Sequence, residues 1–153
     1  PENYHITVKF LGNIKESLAP QIYHILEKKV NEELFRGQSF TYELKGTGQY
    51  KNYSIIWVEL EGNIDFLQKV KDTVEETLNQ RLNIRKDRRK PISNHVTIGR
   101  LKKKRRRYET FDTFKNLINE NRDTSFGTCT FEKIKLKKSK LTPKGPIYSD
   151  LEY

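Results

Sequence analysis

Two short patterns in this chain are near copies of one another. His5-Ile6-Thr7-Val8 and His95-Val96-Thr97-Ile98 stand ninety positions apart (5 to 95), and each opens a run of β-branched and aromatic residues. Such runs favour strands. In a strand, residues i and i+2 share a face. His5 and Thr7 therefore point one way while Ile6 and Val8 point to a core, and the second copy repeats the arrangement. A fold for this chain has to hold two strands that each bury one face and keep an imidazole and a hydroxyl on the other.

The segments between and beyond alternate two periodicities. YHITVKFL (4–11) reads as a strand and is followed by a turn signal at Gly12-Asn13. Leu18, Ile22, Ile25, Leu26, Val30 and Leu34 recur at helical spacing over 16–35, with Pro20 near the first turn and Gly37 as a stop. Strand-like runs at 39–50 and 53–60 are joined by Lys51-Asn52, which suggests a hairpin. A second amphipathic helix is predicted over 64–82, with Phe66, Leu67, Val70, Val74 and Leu78 on one face. A basic link (85–90) leads to a strand at 94–101. Another basic run (102–107), a short helix (108–119), an alternating strand (125–137), a Pro/Gly loop (141–146) and a final strand (147–153) complete the chain. The order β-α-β-β-α-β-α-β-β lacks strict β-α alternation. It predicts an α+β fold of antiparallel or mixed sheets with outer helices.

At 153 residues, one domain or two closely packed lobes are expected. Thirty Lys and Arg against twenty Asp and Glu give a formal charge of +10, which favours a polyanionic partner, nucleic acid before an anionic membrane. The single cysteine, Cys129, excludes an internal disulfide and a Cys-based zinc site, and three histidines without spaced partners argue against a metal centre. No apolar run is long enough to span a bilayer, and no signal peptide opens the chain. A cytoplasmic setting without cofactor is expected.

Two imidazoles and two hydroxyls converging on one point suit a phosphate. Hydroxyls and ring N–H groups donate to its oxygens. A neutral His and a protonated His can act as base and acid near neutral pH. His24 lies in the first helix pattern without an echo and is expected to be a surface or packing residue.

HITVKFLG and HVTIGRL resemble the paired His-x-Thr motifs of the 2H phosphoesterases, and in particular the RNA 2′,3′-cyclic phosphodiesterases, also called 2′-5′ RNA ligases. The tail LKKSKLTPKGPIYSDL is similar to that group's Ser-x-Leu-x-Pro-x-Gly-x-x-Tyr signature. The resemblance covers nearly the whole chain. It implies a LigT-like fold of two pseudo-symmetric lobes around a central cleft, and cofactor-free hydrolysis of a 2′,3′-cyclic phosphate to a 2′-phosphate. It also implies a weak, reversible 2′-5′ joining of RNA ends. By the same resemblance His95 is the base and His5 the acid. Thr7 and Thr97 hold phosphate oxygens, Phe10 stacks on a base or ribose, and Arg100 neutralises phosphate charge.

Lys9 and Tyr148 are secondary candidates. Lys9 alternates onto the face of His5, whereas Phe10 and Arg100, five residues from their histidines, alternate onto the opposite face. They reach the site only from a strand end or past a bulge, for which Gly12 and Gly99 give openings. The expected partner is an RNA end, tRNA included, met by a monomer. Members of the group carry about one further strand and helix before the first motif, so an N-terminally shortened domain is expected. The rival readings are a 3′-end RNA exonuclease of the same superfamily, an RNA-binding module with a dead site, and a basic structural protein.

Overall fold

The computed structural model describes residues 4–88, 91–101, 108–143 and 145–153. The elements run α1 (Ala19–Leu26), β1 (Phe40–Tyr50), β2 (Ile55–Glu61), α2 (Ile64–Leu82), β3 (His95–Arg100), α3 (Tyr108–Glu120), β4 (Ser125–Phe131), β5 (Lys137–Thr142) and β6 (Gly145–Asp150). The fold class is α+β. The chain divides into two compact units built from interleaved segments. The first takes Pro1–Ile6, Thr41–Ile64 and Ser93–Thr130, and the second takes Thr7–Phe40, Asp65–Ile92 and Phe131–Tyr153.

The first unit is organised on a four-stranded sheet in the order β3-β2-β1-β4. β1 and β2 pair antiparallel, as do β2 and β3. Along β2 burial alternates residue by residue, with Ile56, Val58 and Leu60 buried and Ile55, Trp57 and Glu59 half-buried. Alternation of this kind is what a sheet with one core face requires. The β1–β2 connection spans residues 51–54, two residues longer than the Lys51-Asn52 link that the sequence suggests. Lys51, Asn52 and Tyr53 all adopt positive φ, and the Gln49 side-chain oxygen accepts the Tyr53 N–H at 2.8 Å. Gly46, at φ +72, lies against the Arg122 carbonyl, where a Cβ would stand 2.2 Å from the oxygen. The left-handed conformation and the close approach both require glycine there.

The second unit packs α1 and α2 around one apolar cluster. Ile22, Ile25, Leu26, Val30, Phe35, Val70, Val74, Leu78 and Leu136 are buried together, with Val8, Leu11 and Phe66 packed against them. The first helix is longer than α1 alone. A 3-10 turn (Glu16–Leu18) precedes it and a π-helical stretch (Glu27–Phe35) extends it to Arg36, whose positive φ ends it one residue before Gly37. The side chain of Asn31 clasps the backbone of Ile134 in both directions. It donates to the Ile134 carbonyl at 3.1 Å and accepts the Ile134 N–H at 2.9 Å.

Three expectations need correction. The run 4–11 forms no strand; it is irregular, with a bend at Val8. Its strand chemistry is real, but a ladder needs a partner edge. Second, the alternating run 125–137 is two strands, β4 and the start of β5, separated by irregular chain at 132–136. Third, the Pro/Gly loop is the tip of a hairpin, since β5 pairs antiparallel with β6 from Lys137↔Asp150 to Thr142↔Gly145. Pro146 sits opposite Leu141 in this two-stranded ladder, where each strand is an edge and a missing N–H is tolerated.

Candidate active site

His95 opens β3 opposite Glu59 of β2, and Thr97 lies opposite Trp57. Trp57 in turn faces Gly48 of β1. These residues share the half-buried face of the sheet. The register slips between Ile56 and Trp57: Gly99 pairs with Ile56, Thr97 with Trp57, and Ile98 is left over as a bulge. Arg100 consequently pairs with Ile55, on the face of Trp57 and Glu59. Simple alternation would have placed Arg100 on the core side. The extra residue reverses the alternation, so His95, Thr97 and Arg100 line one face of one strand.

The imidazole of His95 is fixed on two sides. Trp57 stacks on it with ring centroids 3.8 Å apart and planes inclined by 19°. The Tyr50 hydroxyl is 2.7 Å from Nδ1. Tyr50 also lies 5.6 Å from Trp57, centroid to centroid. Burial lowers the His95 pKa below its ordinary 6.5, and the nearby Glu59 carboxylate opposes that only in part. The ring is thus predominantly neutral at neutral pH. Glu59 is itself held by the Asn94 side-chain amide at 3.0 Å. Gly48 makes the stack possible: a Cβ there would stand 2.0 Å from the Trp57 ring. The sequence offers Tyr50 and Trp57 as stacking surfaces for bases or, more often in such strands, as packing aromatics, and not as partners of His95. Their place in a hairpin that could pair with the second motif was the available signal.

His5 is half-buried and belongs to the same unit as His95. Thr7, Lys9, Phe10 and Tyr148 belong to the second unit. Phe10 is 74% exposed, not packed in a core. Tyr148 is half-buried on β6 opposite Ser139.

Lys9 departs from expectation. Its ammonium is directed at α2, 2.8 Å from Glu75 and 3.3 Å from Asp87, and it donates to the Arg85 carbonyl at 2.9 Å. Lys71 completes the cluster, 3.0 Å from Glu75 and 3.2 Å from Asp87. The Lys9 and Lys71 side chains are 3% and 6% exposed. The bend at Val8 breaks the alternation that would have turned Lys9 toward the face of His5, and two carboxylates already neutralise it. Burial pulls the Lys71 pKa down, but its hydrogen bonds and charge interactions with Glu75 and Asp87 outweigh that and hold it above the ordinary value.

The remaining candidates are placed as follows. His24 is exposed, edge-on to Tyr23 at 5.5 Å. Cys129 is half-buried, and burial raises its thiol pKa. Part of the first basic link is engaged within the second unit, where Lys86 pairs with Glu76. Residues 89–90 and the whole of the second basic run (102–107) lie outside the described residues. Among the described residues no three His, Cys, Asp or Glu gather as a metal site, and no helix is long and apolar enough to cross a membrane.

The AKAP7 2'5' RNA ligase-like domain family matches residues 1–151. The chain is 34% identical to the RNA 2',3'-cyclic phosphodiesterase of Archaeoglobus fulgidus, over 99% of this chain and 78% of that protein. It is 33% identical to the protein of the same name from Methanocaldococcus jannaschii, over 96% and 77%. A crystal structure of a Thermus thermophilus protein superposes with a TM-score of 0.66 at 26% identity, covering 97% of this chain and 75% of that one. Escherichia coli LigT, solved with 3'-AMP, shares the fold with a TM-score of 0.68 at 16% identity, over 99% and 75%. With a half-buried histidine on an edge strand of an α+β scaffold and relatives matched over nearly all of this chain, the chain belongs to the 2'5' RNA ligase-like family of 2H phosphoesterases.

Proposed function

We propose that this protein hydrolyses 2′,3′-cyclic phosphates at RNA ends to 2′-phosphates. The observation that carries the reading is His95, held neutral by burial on one strand face with Thr97 and Arg100, in a chain whose relatives bear the name RNA 2',3'-cyclic phosphodiesterase. Neutral His95 accepts a proton at Nε2 from a water. The water oxygen attacks phosphorus, the P–O3′ bond breaks, and His5, protonated, delivers its proton to O3′. The product is a 2′-phosphate with a free 3′-hydroxyl; His95 has gained the proton that His5 gave up, and exchange with solvent resets both. A 5′-hydroxyl in place of the water gives a 2′-5′ linkage by the same steps, and this is the proposed ligase activity.

In this reading the Thr7 and Thr97 hydroxyls donate to the non-bridging oxygens, and Arg100 offsets their charge. Phe10 offers an exposed ring to a base or ribose, and Tyr148 is a further substrate contact. The substrate is an RNA end, tRNA among the candidates, met by a monomer working in the cytoplasm. Support for a polyanionic partner comes from the net charge of +10.

The test is hydrolysis of an oligoribonucleotide ending in a 2′,3′-cyclic phosphate, in EDTA, with the product isomer identified. A 2′-phosphate is expected, with His5→Ala and His95→Ala each slower by about a hundredfold or more. A 3′-phosphate product, or two variants as active as the parent, overturns the proposal.

A further inference from the structure

We propose that Tyr50 is a positioning residue whose phenol oxygen accepts the Nδ1 proton of His95, so that the outward nitrogen, Nε2, keeps its lone pair for the reaction. The inference rests on the reading of His95 as the base and adds to it the group that selects its tautomer.

The 2.7 Å contact between Tyr50 Oη and His95 Nδ1 allows two directions. If the phenol donates, the ring's proton sits on Nε2, and no lone pair faces outward. If the phenol accepts, Nε2 is the basic nitrogen. Three observations favour the second. First, once Nε2 has taken a proton, Nδ1 necessarily carries one, and the only direction left is Nδ1–H to Oη. A bond already pointing that way needs no reorganisation during proton transfer and becomes charge-assisted as the imidazolium forms. Second, Tyr50 is 46% exposed, so its own hydroxyl proton has water to bond to and is not forced onto the ring. Third, the Trp57 stack holds the imidazole plane and the Tyr50 contact fixes Nδ1 within it, so a half-turn of the ring would keep the stack but forfeit the Nδ1 contact.

Among the described residues, Tyr50 from β1 meets this ring at hydrogen-bond distance and Glu59 from β2 acts on it through charge, while Arg100 lies on the same strand face farther along β3. Glu59 favours the protonated ring electrostatically. It is opposite His95 in register but is already held by Asn94. Tyr50 is therefore the group in hydrogen-bond contact with Nδ1, and it fills the place that an orienting third residue takes beside a histidine base.

The test is heteronuclear NMR of the His95 ring in the parent protein and in Tyr50→Phe. The parent ring is expected to carry its proton on Nδ1 when neutral, a reading that needs no variant. Tyr50→Phe keeps the ring contact and removes the acceptor. Its loss costs the imidazolium more than the neutral ring, so His95 should titrate roughly 0.5–1 pH unit lower. Turnover should fall about tenfold in kcat, the size of one hydrogen bond to a charged group, with KM little changed. A neutral parent ring protonated on Nε2, or a His95 that titrates higher or unchanged in Tyr50→Phe, overturns the inference. Full turnover in His95→Ala would refute the base reading alone, because the tautomer is read without turnover.

Discussion

Gly48 offers the sharpest test of how the His95 environment is built. It sits opposite Trp57 with an ordinary backbone conformation, so alanine is acceptable to the chain itself. Relief of glycine's excess freedom would even stabilise the strand by about 0.5–1 kcal/mol. The side chain decides otherwise. The added methyl would stand 2.0, 2.1 and 2.6 Å from three indole carbons, where ordinary carbon contacts are about 3.5–4.0 Å. The indole has to retreat by roughly 1.5 Å to reach that distance. A displacement this large falls in the upper half of the about 1–3 kcal/mol that overpacking costs, and against a backbone gain of about 0.5–1 kcal/mol it leaves a net loss of about 1–2 kcal/mol.

For a chain of this size that is a fall in Tm of roughly 2–8 °C. The retreating indole also uncovers His95, so its pKa should rise toward the ordinary 6.5. Calorimetry and an NMR titration of Gly48→Ala measure both. In Gly48→Ala/Trp57→Leu the methyl has nothing to strike, and the alanine should no longer cost stability. Parent-like Tm and His95 titration in Gly48→Ala, or the same loss in the double variant, would refute the steric argument.

Other expectations concern the ion cluster, the bulge and pH. Glu75→Gln leaves the nearly buried Lys9 and Lys71 to share Asp87, whose side chain is 34% exposed, and urea titration should show a loss of about 3 kcal/mol, the low end for a buried pair because water reaches Asp87. Arg100→Ala should lower kcat/KM for a cyclic-phosphate oligonucleotide by about 10–100-fold through loss of a charge-assisted bond, with partial recovery in Arg100→Lys. Because His95 has a lowered pKa in the fold, its contribution to stability is full above about pH 6.5 and is lost as pH falls through the lowered value. The denaturation midpoint should rise with pH across that window, and His95→Gln should flatten the rise. Asp150, hydrogen-bonded by Lys135 and Lys137, has its pKa lowered to about 2. Its effect on stability is present above about pH 3.8 and fades as pH drops through 2, small in size because the pairs are exposed; carboxyl NMR of Lys137→Ala should show that pKa raised.

The helices and the central strands were legible because their signal is local. Leu67, Val70, Val74 and Leu78 announce α2 by spacing alone, and α2 runs over the expected 64–82. What failed depended on partners. YHITVKFL has strand composition, yet whether it joins a ladder is decided by another edge, and the Lys9 attraction to Glu75 and Asp87 is invisible without α2 and the irregular chain at 85–87 beside it. Thr-Pro-Lys-Gly-Pro carries loop chemistry, and its pairing as a hairpin is a register fact. The bulge at Ile98 shows the same limit at the site. Sequence alternation put Arg100 on the wrong face, and Gly99 hinted at a break without fixing which residue is extra. Tyr50 and Trp57 were visible as aromatics, but their role beside His95 emerges only when β1, β2 and β3 are in register.

The interleaving of the two units bears on how the chain is made. The first unit has all its segments once Thr130 is synthesised, whereas the second lacks Phe131–Tyr153 until Tyr153 has been added. That late segment carries Leu136 of the apolar cluster and the Ile134 backbone that Asn31 clasps. At about 5–20 residues per second, the helical face of Ile22, Val30 and Val70 waits seconds on the ribosome, and then in the exit tunnel's shadow, before its last partner arrives. In that interval the exposed apolar face, not the finished site, is what the cell's folding machinery meets, and removing Phe131–Tyr153 would make the interval permanent.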